Sequence, residues 1–505
     1  MTRIPPIPAR AQSAAGRLAL LGLIALSGIG CASAFDPAAQ PSISLPVAPE
    51  AWRDEAAEVV DPAAADPSEA ADPSAASRPI ATWWQRLDDP VLDRLVTRTL
   101  DGSLDLQTAA ARVAEARARR GLAQADLGPR ASLGLDAASA EPLGDGRSSE
   151  GYAASFTASW EADLFGEKRA TRAASEADLA ASVAQLDDAR VSLIAEVVVA
   201  YADLRAAEAR LRVIDDSLAS RDATYRLTGH RERAGLASQL EVDQALTSRE
   251  QTRASRSTFV RRAIDARLRL TQLAGQPPGA FDDLLTSPDG DSTPHAVPTL
   301  PAALDLGVPA EALARRPDVR AAAHRLDATL ARRGVAEAAR YPTLRLTGSL
   351  DGQSGDLSDL FDADAFFANL LAGLTAPVFE SGRITQNIHI EQARVEQEAL
   401  AYRDRVLQAL AEVESALASL RTVGHELDAL DDAIRSARAA ATLADQRYAA
   451  GLVDLLVVLD SQRTLLNLQE QHVAAQGERV VAFSNLYRAL GGGWETGADR
   501  GGDHA

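Results

Sequence analysis

A predicted membrane strand that runs directly into a very long helix is the feature that most restricts the fold of this chain. From Tyr152 to Leu164 apolar and polar residues alternate, which predicts a strand with one apolar and one polar face. The stretch is long enough to cross a bilayer, because a tilted membrane strand needs about 9–11 residues. From Glu167 to Leu227 there is no proline or glycine, and small apolar residues recur every three or four positions. That spacing predicts a helix of roughly 90 Å.

The same arrangement occurs again about 215 residues later, which indicates two tandem copies of one unit. In the second copy the predicted strand extends from Phe366 to Phe379 and the long helix from Ile384 to Ala450. We assign residues 82–290 to the first copy, 291–308 to a connector and 309–494 to the second copy. The residues that align the copies are Arg119-Arg120-Gly121 with Arg332-Arg333-Gly334, Pro129 with Pro342, Phe165 with Phe379, Ala195-Glu196-Val197 with Ala411-Glu412-Val413, and Ala234-Gly235-Leu236 with Ala450-Gly451-Leu452.

Shorter elements accompany the strand and the long helix in each copy. Proline and glycine breaks and apolar periodicity predict helices over residues 90–100, 104–127, 239–274 and 312–341. Alternation predicts two further strands, over residues 131–140 and 343–350. Polar stretches at 142–150 and 351–364 then read as hairpin loops. The chain therefore offers four strands in all.

The N-terminus reads as a targeting segment. Arg3, Arg10 and Arg17 precede the apolar stretch Leu18–Leu26, which is too short to span a membrane, so residues 1–30 are predicted to be a signal peptide. The single cysteine, Cys31, stands where a bacterial lipobox has its lipidated residue, although Gly28 replaces the usual leucine. Cleavage after Ala34, which would remove Cys31, is the alternative.

Composition excludes several classes of protein. The formal charge of −19 argues against nucleic acid as a partner. Residues 31–81 are rich in proline, alanine, aspartate and serine, which predicts a disordered, lipid-anchored linker, and residues 495–505 read as a flexible tail. No Walker A motif, HExxH motif or nucleophile elbow occurs, and the seven histidines are scattered. We therefore predict no enzyme activity, no metal site and no cofactor.

Four strands cannot close a membrane barrel, because single-chain bacterial barrels begin at eight strands and open edges are not tolerated in lipid. If these are membrane strands, several copies of the chain must pool them: two copies give eight strands and three give twelve. The long helices are rich in alanine, which lets helices approach closely along their length. A plain coiled-coil stalk is the alternative that the helical periodicity leaves open.

The chain resembles the TolC-like outer membrane efflux proteins, in particular the NodT-type lipoproteins of resistance-nodulation-division pumps. The resemblance extends from about Thr82 to Trp494. It is carried by Trp84 with Asp89-Pro90-Val91-Leu92-Asp93, Ala109-Ala110-Ala111-Arg112-Val113-Ala114-Glu115-Ala116-Arg117, Trp160-Glu161-Ala162-Asp163-Leu164-Phe165-Gly166, Arg233-Ala234-Gly235-Leu236-Ala237-Ser238, Arg315-Arg316-Pro317-Asp318-Val319-Arg320-Ala321-Ala322, Pro377-Val378-Phe379-Glu380-Ser381-Gly382-Arg383, and Tyr448-Ala449-Ala450-Gly451-Leu452 with Val458-Leu459-Asp460-Ser461-Gln462-Arg463.

This resemblance implies a mainly α-helical homotrimer with a membrane β-barrel. Twelve strands would form one barrel among the outer membrane lipids, and twelve helices would form a tunnel through the periplasm. A belt that includes residues 90–100 and the connector would surround the tunnel. The implied function is a passive exit duct for small molecules, working with a periplasmic adaptor (membrane fusion) protein and an inner-membrane pump.

The resemblance also implies a constriction at two helix–turn–helix tips. Asp460 matches the second of two family aspartates that form an acidic ring, whereas Val457 occupies the first position and Asp454 is a nearby substitute. Tyr448 matches a tyrosine of the family's closing contacts, and Glu241 matches an acidic residue on the facing tip. The alternatives are a solvated surface residue for Asp460, helix-terminus acids for Asp454 and Glu241, and packing for Tyr448.

The adaptor is expected to dock on the tips themselves. The candidate docking residues are Arg231, Gly235, Leu236, Arg447, Gly451 and Leu452. The glycines would in any case end helices. Two other functions remain open at this point: an outer membrane channel for type I protein secretion, and a lipid-anchored periplasmic coiled-coil scaffold without a pore.

Overall fold

A computed structural model describes residues 80–141, 149–285, 296–301 and 309–494. The predicted signal peptide, Cys31 and nearly all of the linker lie outside the described residues. So do the tail and most of the loop predicted at 142–150 and of the connector.

The first copy opens with a 3-10 helix at Ile80–Leu87 and continues with helices α1 and α2, strands β1 and β2, and helices α3 to α5. Their bounds are α1 Pro90–Gly102, α2 Leu104–Ala125, β1 Arg130–Ala140, β2 Ser149–Ala162, α3 Glu167–Arg233, α4 Gln239–Leu273 and α5 Asp282–Leu285. The second copy contains α6 Pro309–Arg315, α7 Pro317–Ala338, β3 Thr343–Ser354, a 3-10 turn at Ala363–Ala365, β4 Phe366–Thr375, α8 Arg383–Ala449 and α9 Leu455–Ala489. The predicted fold class, mainly helical with four strands in two tandem copies, is confirmed.

The single helix predicted over residues 312–341 is wrong, because the chain forms two helices there. Pro317 occupies the first turn of α7 and has no N–H to continue α6. The preceding Arg316 is extended, with φ −62° and ψ 121°, as expected of a residue before proline.

Two predicted strand ends are also wrong. Strand β3 continues through Asp351–Ser354, which the sequence placed in an acidic loop. Asp351 pairs with Ser155 of β2 and with Phe367 of β4, so the backbone ladder holds it on both sides, and the ladder with β2 continues to Ser354. Strand β4 ends at Thr375 rather than Phe379, since Pro377 cannot donate to a ladder.

The four strands form one antiparallel sheet in the order β1, β2, β3, β4. The register aligns the alternating apolar positions of all four strands on one face, because directly paired residues share a face. Leu133 pairs with Phe156, Phe156 with Leu350, and Leu350 with Ala368. This face is exposed, and Leu370 is 86% exposed. Its large exposed members are Leu133, Leu135, Phe156, Trp160, Leu350, Leu370 and Leu374.

The helices lie side by side in a wall. Next to the sheet, they follow the same order as the strands to which they are joined. Next to the sheet the order is α2, α3, α7, α8, and towards the far end it is α4, α3, α9, α8. One border of the wall is therefore formed by β1, α2 and α4, and the other by β4 and α8. None of the helices in the described ranges combines the length and apolar character needed to cross a membrane.

The main hydrophobic core lies where the neighbours of α3 change, between Leu193 and Ala209. Trp83 of the 3-10 helix is fully buried there and stacks on the Tyr487 ring, with 5.4 Å between ring centroids. Arg86 donates a 2.8 Å hydrogen bond to the Tyr487 hydroxyl. Val297, from the described part of the connector, packs into the same core. The start of the first copy and the connector before the second thus pack against the middle of the long helices.

Candidate functional site at the paired helix tips

The two turns at the far end of the wall have the same backbone geometry. In the first, Gly235 has φ +70° and its N–H donates to the Glu232 carbonyl at 2.8 Å, while the Leu236 N–H donates to Arg231 at 2.7 Å. In the second, Gly451 has φ +74°, and Gly451 and Leu452 donate to the carbonyls of Tyr448 and Arg447 at 2.9 and 2.8 Å. Both are Schellman motifs, which satisfy the last helical carbonyls and favour glycine at the left-handed position. We call these turns the first tip and the second tip.

The helices that leave the two tips begin differently. At the first tip, Ser238 and Glu241 form a reciprocal capping box: the Ser238 N–H donates to Glu241 Oε2 at 2.7 Å, and the Glu241 N–H donates to Ser238 Oγ at 3.4 Å. At the second tip, Asp454 occupies the N-cap position, but its side chain makes no capping hydrogen bond. The Glu241 carboxylate is therefore engaged within its own helix, whereas that of Asp454 is exposed.

The two tips are tied together by Arg231 and Tyr448. Arg231 Nη1 donates a 2.6 Å hydrogen bond to the Tyr448 carbonyl, and its guanidinium lies 4.7 Å from the centroid of the Tyr448 ring. Tyr448 is only 2% exposed, and its hydroxyl lies 3.2 Å from Thr228 Oγ1. A charged hydrogen bond and a cation–π contact therefore act on the same residue.

A polar network lies inside the wall behind this contact. The buried Gln462 of α9 places Nε2 3.0 Å from Thr224 Oγ1, 3.2 Å from Ser220 Oγ and 3.1 Å from Asp445 Oδ1. Burial raises the pKa of the Asp445 carboxyl, and the hydrogen bond from Gln462 offsets part of that rise. The network joins α3, α8 and α9 through one amide group.

The remaining predicted site residues do not converge with Tyr448 in this single chain. Asp460 is exposed on α9 and forms an ion pair with Arg463 one turn later. Asp454 and Asp460 flank the exposed Val457, about 120° apart around the helix at 100° per residue. Arg447, the counterpart of Arg231 in the second copy, is exposed.

Both tips expose a leucine at the same position of the turn. Leu236 is 70% exposed and Leu452 is 73% exposed. Four residues later, Leu240 and Leu456 are also exposed. Each tip therefore presents an apolar pair, with one leucine on the turn and the other at the start of the following helix. Among the residues the structure describes, no three His, Cys, Asp or Glu side chains gather as a metal site would require.

Comparison with known proteins assigns the chain to a family. A family model described as outer membrane efflux protein matches residues 95–276 and 308–492. The chain belongs to the outer membrane efflux protein family.

Individual outer membrane efflux proteins are similar along most of their length. The pyoverdine export outer membrane protein OpmQ of Pseudomonas putida is 33% identical over 436 residues, 83% of this chain and 89% of the relative. The toluene efflux pump outer membrane protein TtgF, also of Pseudomonas putida, is 31% identical over 423 residues, 82% of this chain and 85% of the relative. The solved outer-membrane channel OprN superposes with a TM-score of 0.76 at 32% identity, covering 84% of this chain and 96% of that one. The predicted TolC-like family, outer membrane location and efflux function are thereby confirmed.

Sequence reasoning missed most of the contacts that hold the tips of this outer membrane efflux protein together. Thr228, Thr224, Asp445 and Gln462 did not stand out, because a polar residue inside a helical pattern reads as a surface residue. One signal was available in the sequence: Gln462 lies four residues after Val458, so the two share a face of α9, and both are buried. The roles predicted for Asp460, Asp454 and Glu241 at the constriction remain predictions.

We expect Arg231→Ala to loosen the second tip, because hydrogen bonds to charged groups contribute about 1.5–3 kcal/mol. Amide hydrogen exchange at residues 448–455 should accelerate about tenfold or more. Arg447→Ala is the matched control, since Arg447 is exposed at the equivalent position of the repeat. Equal exchange rates in the two variants would contradict the proposed link between the tips.

We expect Asp445→Asn to remove a pH-dependent part of the stability of the α8–α9 contact. An acid whose pKa is raised on folding binds its proton more tightly when folded, so the wild-type contact gains stability as the pH falls through the folded pKa towards the ordinary value of about 4. The stability gained by Asp445→Asn should be largest at neutral pH and vanish near pH 4. Hydrogen exchange of α9 amides around Gln462, corrected for intrinsic rates, measures this. Asp460→Asn serves as the exposed control, and a pH-independent difference in Asp445→Asn would refute the expectation.

Proposed function

We propose that three copies of this chain assemble into an exit duct through which an inner-membrane pump and a periplasmic adaptor discharge small molecules across the outer membrane. The observation that carries the proposal is the open four-stranded sheet, whose apolar face is exposed and whose two outer strands have no partner on their outer edges among the described residues. Three copies would supply twelve strands to one barrel, with the apolar face towards the outer membrane lipids.

The order of the helices supports closure into a ring. Helices α2 and α4 lie on the same border as β1, and α8 lies on the same border as β4. Joining the two different borders of neighbouring copies is a head-to-tail contact, which closes into a ring when the rotation fits. The twelve helices at each level of such a trimer would enclose a tunnel in the periplasm.

The tips support a docking role for the adaptor. Leu236 and Leu452 are held out on Schellman turns, and apolar side chains exposed on rigid turns suit recognition by another protein. Arg447 is free to contact the adaptor, whereas Arg231 is engaged with Tyr448. Gly235 and Gly451 would set the shape of the turn rather than contact the adaptor.

The N-terminus and the cargo complete the proposal. Cys31, after removal of residues 1–30, would carry the lipid anchor of a NodT-type lipoprotein, with cleavage after Ala34 as the alternative.

Similarity to proteins named for pyoverdine export and toluene efflux favours small organic cargo over the proteins of a type I secretion system. The exposed apolar sheet face speaks against a periplasmic scaffold without a pore. The duct would be passive and carry out no catalytic step.

The native mass of the protein and its efflux activity test this function together. Extraction of isolated outer membranes with mild detergent should yield a trimer. The double variant Leu236→Asp with Leu452→Asp should keep that mass but lose efflux, because charged residues prevent apolar docking. Leu357→Asp, at an exposed leucine in the loop between β3 and β4, is the control and should retain efflux. A monomer, or release by a salt wash, would favour the scaffold.

We further propose that Asp460 contributes one carboxylate per copy to an acidic ring near the tunnel entrance. A ring of three carboxylates favours cations. Asp460→Ala should therefore lower the cation preference and the block by divalent ions in planar bilayers. Arg463→Ala should act in the opposite direction, because it frees Asp460 from its ion pair. Unchanged selectivity in both variants would rule out the ring.

A further inference from the structure

Helix α4 presents an unpaired arginine on the side that faces away from its own chain. The residues that α4 buries recur at helical spacing and include Thr252, Phe259 and Ala263. The opposite side of the helix is exposed and carries Arg261, Ile264 and Leu268. Within the described ranges no carboxylate forms an ion pair with Arg261. This border of the wall is the one that a neighbouring copy would cover.

Helix α8 presents two carboxylates on its own outward side. It buries Val423, Leu427 and Leu430 towards α9, so Asp428 and Asp432 point away from the chain and are exposed. They are four residues apart and hence stacked one turn above the other. Asp432 contacts Arg435 on its own helix, whereas Asp428 forms no ion pair with any residue that the structure describes.

Arg261 of α4 and the two aspartates of α8 lie at about the same distance from the tips. On one side of the wall, Asp431 of α8 contacts His472 of α9 at 3.0 Å. Five residues further along α9, Gly477 lies against Ala206 of α3. The contacts from α3 to α4, Arg256 with Asp215 and Arg267 with Glu208, then place Arg261 within about one turn of the level of Asp428 and Asp432.

The charges of the two helices are complementary around this level. Helix α4 carries seven arginines between Arg249 and Arg269. Four of them form ion pairs with carboxylates of α3, whereas Arg261 is exposed on the outward side. Residues 426–432 of α8 contain four carboxylates and no basic residue. Opposite charges also determine that the α4 border of one copy meets the α8 border of the next, since two α4 borders or two α8 borders would repel each other.

We propose that Arg261 of one copy lies between Asp428 and Asp432 of the next copy and forms an ion-pair seam that joins the helical wall of the trimer. The seam rests on the proposed trimeric duct and specifies its partner surface as a second copy of this chain. Ile264 and Leu268 pack beside it and shield the pair from water. The contact is head-to-tail, so each copy supplies the arginine on one border and the carboxylates on the other.

Disulfide formation between engineered cysteines tests the seam in the full-length protein. Arg261→Cys with Asp428→Cys should give covalent trimers after oxidation of isolated outer membranes. Ala254→Cys with Asp428→Cys is the matched control: Ala254 is exposed on the same side of α4, but two turns away, about 10 Å along the helix. Cα atoms more than about 7 Å apart cannot be bridged. The native protein, which also contains Cys31, gives the background.

Charge reversal provides a second readout. Arg261→Glu should shorten the lifetime of the detergent-extracted trimer at raised temperature by about tenfold. Adding Asp428→Lys and Asp432→Lys to that variant should restore the lifetime.

These experiments distinguish failure of the ion-pair seam from failure of the proposed trimeric duct. Cross-linking by the first pair alone supports the seam. A trimer of native mass that neither forms this cross-link nor loses lifetime in the Arg261→Glu variant overturns the seam and leaves the duct intact. Cross-linking by either single cysteine would show like borders in contact and overturn the seam as well. A monomer in the outer membrane would overturn both.

Discussion

The outer edges of strands β1 and β4 each carry a row of backbone N–H and C=O groups that have no partner within the described sheet. In water such an edge can be solvated, but in lipid every unsatisfied group costs several kcal/mol. The order of the helices follows from the same sheet, because each of its strands is joined to a helix of the wall. Helix α2 leads into β1, β2 leads into α3, α7 leads into β3 and β4 leads into α8. The wall next to the sheet consequently has the order α2, α3, α7, α8, and the free borders of sheet and wall coincide.

Away from the sheet, α3 and α8 pack against different helices. In the second copy, a buried arginine lies at this change of packing partners. Arg316, 4% exposed, donates to the Ala489 carbonyl at 2.7 Å, to Asp318 at 2.7 Å and to Glu412 at 2.6 Å. One side chain thus joins the start of α7, the middle of α8 and the end of α9. Removing one partner of a buried ion pair is strongly destabilising. The Arg-Arg-Pro-Asp stretch that marks the family resemblance is therefore a structural clamp in this chain.

The sequence was sufficient for features that depend on periodicity and insufficient for those that depend on distant partners. The alternation from Tyr152 and the uninterrupted helical pattern from Glu167 predicted the strand and the long helix, since both properties are local. The ladder at Asp351 could not be foreseen, because one of the two strands that hold its backbone, β2, is distant in the sequence. The break at Pro317 was visible in the sequence, and a strict application of proline's missing N–H would have found it. At the tips, the matching motifs suggested that Arg231 and Arg447 are equivalent. Only the three-dimensional arrangement, in which Tyr448 lies beneath Arg231, distinguishes them.

The length of α3 has a mechanical consequence. Ala209 is the last residue of α3 in the main core, and roughly 35 Å of helix separates it from the first tip at Arg233. Beyond Ala209 the buried apolar contacts of the helix belong to small clusters, and polar contacts such as the one between Arg231 and Tyr448 link it to its neighbours. Over this length, a rotation of α3 by about 5° at the core would displace the tip by about 3 Å. That displacement is enough to break the hydrogen bond between Arg231 and the Tyr448 carbonyl, while the packing around Trp83 hardly changes. The contacts at the tips, rather than the core, therefore set the cost of moving the far end of α3.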